Sequence, residues 1–268
     1  MLFDTLTDSS FLSKIIRNLK GRIFKAIKPS ADFVSSRQPW DIPEACLLRL
    51  LNRFYSGSSL RVAIIGAYHG YELERLIDTA AVSYIDLFEP DPDTFEMLEK
   101  RINSLSIYRK NVAINALNMA VCATSENEFV DFHRSSVPGT GSLISVSTGL
   151  INKDYKAHEL EVIKVSCTSL DHHSQSLGIK YDILWIDVQG AEMMILKGGY
   201  LSLQSAMYVY IEVSTLEPLC EGGCIFDEVY ILMKNSGFSL IQLNTDVNGT
   251  GNALFQNAIN SLSSKVHA

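Results

Sequence analysis

The chain alternates between two hydrophobic periods. From Ile42 to Tyr55, Ala45, Leu47, Leu48, Leu50, Leu51 and Phe54 recur at helical spacing. Val62 to Ile65 is then a short, unalternating apolar run, the pattern of a parallel strand covered on both faces. A helix over Tyr71 to Ile77, a strand over Tyr84 to Glu89 and a helix over Asp91 to Ile102 follow, and Leu117 to Val121 reads as a third strand. Between Glu128 and Cys167 the rhythm changes. Phe129 to Phe132 and Val162 to Val165 read as strands with no long helix between them, joined through Pro138 to Leu143, which predicts a β insertion beside the cleft. The βα rhythm resumes with Leu170 to Leu177, the strand Tyr181 to Asp187, and a helix from Ala191 to Leu196 stopped by Gly198 and Gly199. The strand Met207 to Val213 and the helix Phe226 to Asn235, with Gly237 at its C′ position, come next. Phe238 to Leu243 and Ala253 to Gln256 form a closing pair, with Asn248-Gly249 and Gly251 as turn residues. Strands alternating with helices predict an α/β fold, a doubly wound, mostly parallel sheet, over residues 41–268.

Residues 1–40 carry a different pattern. Phe11, Ile15, Leu19, Ile23 and Ile27 recur every four residues, and residues 11–28 hold six basic and no acidic side chains. The pattern predicts a basic amphipathic helix followed by a polar linker. Three uses are open: docking on the domain or on a second copy in a homo-oligomer, peripheral contact with an anionic membrane surface, or an organellar presequence. With six charges the segment cannot span a bilayer.

Composition narrows the class. At 268 residues, 47% hydrophobic and 20% charged, the chain matches an ordinary globular protein long enough for one large α/β domain and an appendage. The net charge of −7 argues against a nucleic-acid partner. Five cysteines (Cys46, Cys122, Cys167, Cys220, Cys224) lack framework spacing and the first residues lack a signal-peptide pattern, so a reducing, cytoplasmic compartment is expected, with the basic helix able to reach the inner face of a membrane.

The candidate chemistry lies at the carboxyl ends of the strands. Gly66 and Gly70 bracket a turn after the first strand, where glycine tolerates positive φ and lets a ligand approach the main chain. Glu89 ends the next strand nineteen residues after Gly70, placed to accept ribose hydroxyls. Asp187 ends a strand opposite the turn and reads as a general base or acceptor-orienting group, or else as a helix cap or cofactor contact. Glu212, at another strand end, is a second candidate for acceptor hydroxyls, and Glu192 suits the first turn of a helix. His69, inside the turn, has the side-chain chemistry best matched to neutral-pH base catalysis and reads equally as a polar contact. His172-His173 and Cys220 to Cys224 lack metal-ligand spacing, so no metal is expected there, while a divalent ion held by Asp187, Glu192 and Glu212 to acidify the acceptor hydroxyl stays open.

Taken in order, Gly66-Ala67-x-x-Gly70, Phe88-Glu89-Pro90-x-Pro92, Gly141-Ser142-Leu143, Ser169-Leu170-Asp171, Ile186-Asp187-Val188-x-Gly190-Ala191-Glu192, Leu196-Lys197-Gly198, Glu212, Gly237-Phe238 and Ala253-Leu254-Phe255 resemble the FkbM-family methyltransferases. The likeness covers about residues 60–257. It implies a seven-stranded, Rossmann-like class I methyltransferase sheet, S-adenosylmethionine as cofactor, and methyl transfer to a hydroxyl of a sugar, glycan, glycolipid or natural product. With it, the expected cofactor contacts are Gly66, Ala67, Tyr68, Gly70, Glu89, Pro90, Asp91, Ala120 and Asp187, and the catalytic candidates, read from position and residue type, are Asp187, Glu212 and His69. Three positions depart from the family's pattern: Ile64 replaces an aspartate, Tyr68 an asparagine and Gln189 a glutamate. Two other readings compete: a non-catalytic binding module on the same fold, and a nicotinamide-dependent oxidoreductase, whose Gly-x-Gly-x-x-Gly fingerprint the Gly66 and Gly70 pair matches less well.

Overall fold

The computed structural model describes residues 42–105, 111–123, 128–146 and 149–259, all within one compact unit of residues 39–268. The amphipathic helix and linker expected over residues 1–40 lie outside the described residues.

The unit opens with helix α1 (Ile42–Phe54) and strand β1 (Leu60–Ile65), followed by α2 (Leu73–Asp78), β2 (Val82–Phe88), α3 (Pro92–Ser104) and β3 (Ala113–Leu117). After an excursion the sheet continues with α5 (Leu170–Leu177), β7 (Ile183–Ile186), α6 (Glu192–Gly198), α7 (Tyr200–Ser205), β8 (Tyr208–Ser214), α8 (Phe226–Asn235), β9 (Phe238–Thr245) and β10 (Thr250–Asn257). The seven strands lie in the order β3-β2-β1-β7-β8-β10-β9. The first five are mutually parallel, and β10 runs antiparallel to both β8 and β9.

The unalternating run in β1 has a direct cause. Val62 and Ile64 enter the core on one face with Leu47 and Leu51 of α1, while Ala63 and Ile65 enter the core on the other with Leu170, Ile195 and Val229. Burying each such valine or isoleucine contributes about 1.5–3 kcal/mol, and both faces need it. Caps set the helix starts. The Asp91 side chain accepts from the backbone N–H groups of Asp93 (2.9 Å) and Thr94 (3.4 Å), with Pro92 at the first helical position of α3.

Two expectations are corrected. The third strand is β3, Ala113–Leu117, paired in register with Tyr84 to Phe88. Asn118 ends it by donating to the carbonyls of Glu89 and Pro90, and Ala120–Val121 becomes β4 of a second sheet. That sheet, in the order β4-β6-β5, is the expected insertion: β5 (Glu128–Ser135) and β6 (Glu159–Thr168) pair antiparallel, with short helix α4 (Leu150–Tyr155) between them. The cysteines also hold a pairing that their spacing did not announce. Cys122 and Cys167 form a disulfide where the chain leaving β4 runs beside β6, while Cys46, Cys220 and Cys224 are free.

Candidate active site

The parallel strands end at one edge, and the turn after β1 is tied to it because Gly66 and Ala67 both donate to the Phe88 carbonyl at 3.0 and 2.9 Å. Gly66 has φ +82°, and a Cβ on it would lie 1.7 Å from the carbonyl oxygen of Asp187. Its freedom from a side chain therefore lets the end of β7 close against the turn. Gly70 answers to packing too, since a Cβ there would meet Leu73 and Leu98 at 2.9 Å.

A cleft of about 360 Å³ opens above this edge, lined on one side by Gly66, Tyr68, Glu89, Pro90, Asp91, Ala120 and Asp187. The β insertion supplies the facing wall, including Phe132, Arg134, Gly139, Ser142 and Leu160. Arg134 fastens that wall to the cofactor-side loop through ion pairs with Asp91 (2.8 Å) and Asp93 (3.0 Å), and also bonds Glu161. Gly139 packs on the Tyr68 ring, which stacks on His69 with 3.9 Å between centroids.

Glu89 is 6% exposed, yet both its oxygens are occupied: Oε2 accepts from the Tyr68 N–H at 2.8 Å and Oε1 from the Asp91 N–H at 2.9 Å. Burial pushes its acidity up to about 7, partly opposed by those two donors and reinforced by the charges of Asp91 and Asp187. Just beyond β7, Gln189 Nε2 donates to Asp187 Oδ1 at 2.7 Å and to Glu212 Oε2 at 2.8 Å. The two carboxyls thus meet through one amide nitrogen. Burial raises both, and Glu212 rises well above the usual carboxylate range because the charges of Asp187 and Glu192 add to it. Like charges held this close make it costly to ionise both carboxyls at once. Glu192 is likewise buried and pushed up to about 7, with Oε1 accepting from the Gly190 N–H at 2.9 Å.

Gly66, Tyr68, Glu89, Pro90, Asp91, Ala120 and Asp187 are thus brought together at one cleft. Other sequence candidates lie elsewhere. Ala67 is buried in the core, Gly70 sits under the turn, and Glu212 lies behind Asp187 and touches the cleft wall through Gln189. His69 is outside the cleft lining, its Nδ1 bonded to the Tyr71 hydroxyl at 3.1 Å. His173 bonds the buried Asp86 instead of a metal, and among the described residues no three His, Cys, Asp or Glu side chains gather as a metal site. Sequence reasoning missed Glu72, Gln189 as a bridging donor, and Arg134. Of these, only Gln189 carried a signal, as a departure from the family's pattern two residues after a strand-end acid.

Residues 65–240 match the Methyltransferase FkbM domain. The chain belongs to the FkbM methyltransferase family. It is 26% identical over 165 residues to the 2-O-methyltransferase NoeI of Sinorhizobium fredii (strain NBRC 101917 / NGR234), covering 59% of this chain and 64% of that relative. Its structure is similar to that of Methyltransferase FkbM from Methylobacillus flagellatus KT, with a TM-score of 0.51 and 13% identity over 91% of this chain and 60% of the other, a likeness of fold. The chain spans less than two thirds of the length of either relative. Within this FkbM methyltransferase the replacement at Ile64 is fully buried among the apolar side chains under β1. The carboxylates near the turn are instead Glu72, Glu89 and Asp187. Glu72 keeps a buried Oε1 without a hydrogen-bond partner among the described residues, and burial, with the charge of Asp187 adding to it, pushes its acidity up to about 7.

Proposed function

We propose that the protein is an S-adenosylmethionine-dependent O-methyltransferase acting on a hydroxyl of a sugar, glycan, glycolipid or natural product. The observation that carries the reading is the meeting, at one cleft, of a strand-end glutamate that keeps a lone pair on each oxygen with the strand-end carboxylate of Asp187. The residues fit the cofactor. Each Glu89 oxygen accepts one backbone N–H and keeps a lone pair, so together they can take two ribose hydroxyls. The acids lining the cleft, Glu89, Asp91, Asp93 and Asp187, outnumber its basic side chain, Arg134, which suits a ligand bearing positive charge. When bound, S-adenosylmethionine supplies an electrophilic methyl group that needs no metal for its activation.

The chain's own task is then to orient an acceptor hydroxyl and take its proton. Asp187 lines the cleft, and burial raises its basicity above that of an ordinary aspartate, which favours a role as general base. The insertion wall, pinned by Arg134, closes the opposite side and excludes water. The acceptor's oxygen lies against Asp187, and its proton passes to that carboxylate. The low identity to a 2-O-methyltransferase supports oxygen as the acceptor atom.

Titration calorimetry with S-adenosylmethionine and S-adenosylhomocysteine, followed by a labelled-methyl transfer screen against glycans, lipid-linked sugars and polyols, tests the reading. Cofactor binding with label on an acceptor oxygen is the expected result. Binding of a nicotinamide dinucleotide in place of both would sink it.

A further inference from the structure

Gln189 is the third residue after β7 and has φ +54°, a left-handed conformation that side-chain-bearing residues rarely adopt. The strained turn folds its side chain back between two acids. A single atom 2.7 Å from Asp187 Oδ1 and 2.8 Å from Glu212 Oε2 is the amide nitrogen, whose two hydrogens serve one carboxyl each. Its carbonyl end accepts no bond from any described residue, and the side chain lines the cleft.

We propose that Gln189 is the positioning residue of this site: by donating to Asp187 and Glu212 at once it ties the two carboxyls together, lowers the proton affinity of Asp187 and holds it as the open carboxylate that faces the acceptor. The inference rests on reading Asp187 as the base. The surroundings make such a donor necessary. Glu212 from β8, Glu192 from α6, Glu72 ahead of α2 and Glu89 at the end of β2 each interact with the charge of Asp187. Arg134, the basic side chain of the cleft lining, is already bonded to Asp91, Asp93 and Glu161. Among the described residues, the side-chain donor to the Asp187 carboxylate is that of Gln189. A glutamate at 189 would bring a third carboxylate to the pair; the amide brings two N–H groups of the same shape.

Two variants test this in the full chain, with aspartate and glutamate labelled at the carboxyl carbon and the Asp187 and Glu212 signals assigned through Asp187→Asn and Glu212→Gln. Gln189→Glu keeps the size and inverts the donor, and Gln189→Met removes it. In both, the carbon-13 titration midpoint of Asp187 should rise by about one pH unit or more, a tenfold gain in proton affinity. The kcat profile on an acceptor found by the screen should move to higher pH by the same step. Midpoints unchanged in Gln189→Glu would overturn the proposal and leave the amide as a spacer. If one variant loses its native circular dichroism, the other is read alone. Shifted midpoints with an unmoved kcat profile would uphold the amide's hold on the pair and refute Asp187 as the base, so the two failures are told apart.

Discussion

Replacing Glu89 with glutamine isolates the cofactor reading. The wild-type carboxylate takes the N–H groups of Tyr68 and Asp91 and keeps one lone pair on each oxygen. The glutamine amide accepts only on its oxygen, and its NH₂ faces a backbone N–H at donor-to-donor distance. One ribose hydroxyl loses its partner and the other a charge-assisted bond, together about 2–4 kcal/mol, or roughly 30- to 1000-fold in affinity for S-adenosylhomocysteine. The pH dependence supplies a second, independent sign. Glu89 is raised to about 7, so ribose binding to the ionised form should strengthen as pH rises and level off above that value. At pH 6 about a tenth of the groups are ionised, so binding should be about tenfold weaker than at pH 8. Calorimetry at both pH values on wild type and Glu89→Gln reads both effects, and subtracting the variant removes the contribution of Glu72 and Glu192, which titrate in the same range. Affinity within threefold of wild type at pH 8, or a pH step of equal size in the variant, would refute the placement of the ribose.

Asp187→Asn keeps shape and removes basicity, so kcat on the true acceptor should fall by about 10²-fold or more; a loss under twofold in a steady-state assay would end its role as base. Gly66→Ala puts a methyl group into the Asp187 carbonyl at a φ of +82° and should destabilise by more than about 3 kcal/mol, read as a lowered urea midpoint. Stability itself should fall with rising pH. Glu72, Glu89 and Glu192 hold protons up to about 7, whereas their unfolded counterparts release them near 4.5. The stability they contribute is full below about 4.5 and lost as pH climbs through about 7, so Tm at pH 5.5 should exceed Tm at pH 8, and an equal or reversed pair of values would contradict the burial of these acids.

The parallel sheet was legible because each central strand is packed on both faces, and only an apolar run without alternation can satisfy two cores. The strand-end acids were legible for a related reason: a carboxylate closing such a run has no buried apolar role. What stayed hidden depends on contacts distant in sequence. Leu117 to Val121 is as apolar as a strand, and only the bonds from Asn118 to Glu89 and Pro90 divide it. Cys122 and Cys167 lie 45 positions apart and meet because β4 pairs with β6. The glycines were recognisable as turn residues, but what crowds Gly66 is a carbonyl 121 positions later. His69 looked well suited to base chemistry by residue type, and its direction was settled by Tyr68 and Tyr71. Glu212 was chosen for its place on a strand, while its effect on Asp187 depends on a glutamine three residues beyond β7.

The insertion has a practical consequence for redesign. Ser136 and His158 are joined by two hydrogen bonds, Ser136 N–H to the His158 carbonyl (2.9 Å) and His158 N–H to the Ser136 Oγ (3.1 Å), so the chain between them leaves and returns through one narrow neck. That cassette carries Val137 to Leu143 of the facing wall and none of the residues assigned to the cofactor. If the proposed function holds, recombination at this neck should change acceptor choice while the residues assigned to the cofactor are inherited unchanged. The donor cassette has to supply a glycine at 149, where a Cβ would lie 2.5 Å from the Leu219 carbonyl, and two free N–H groups at 150 and 151 to meet the Pro218 and Leu219 carbonyls.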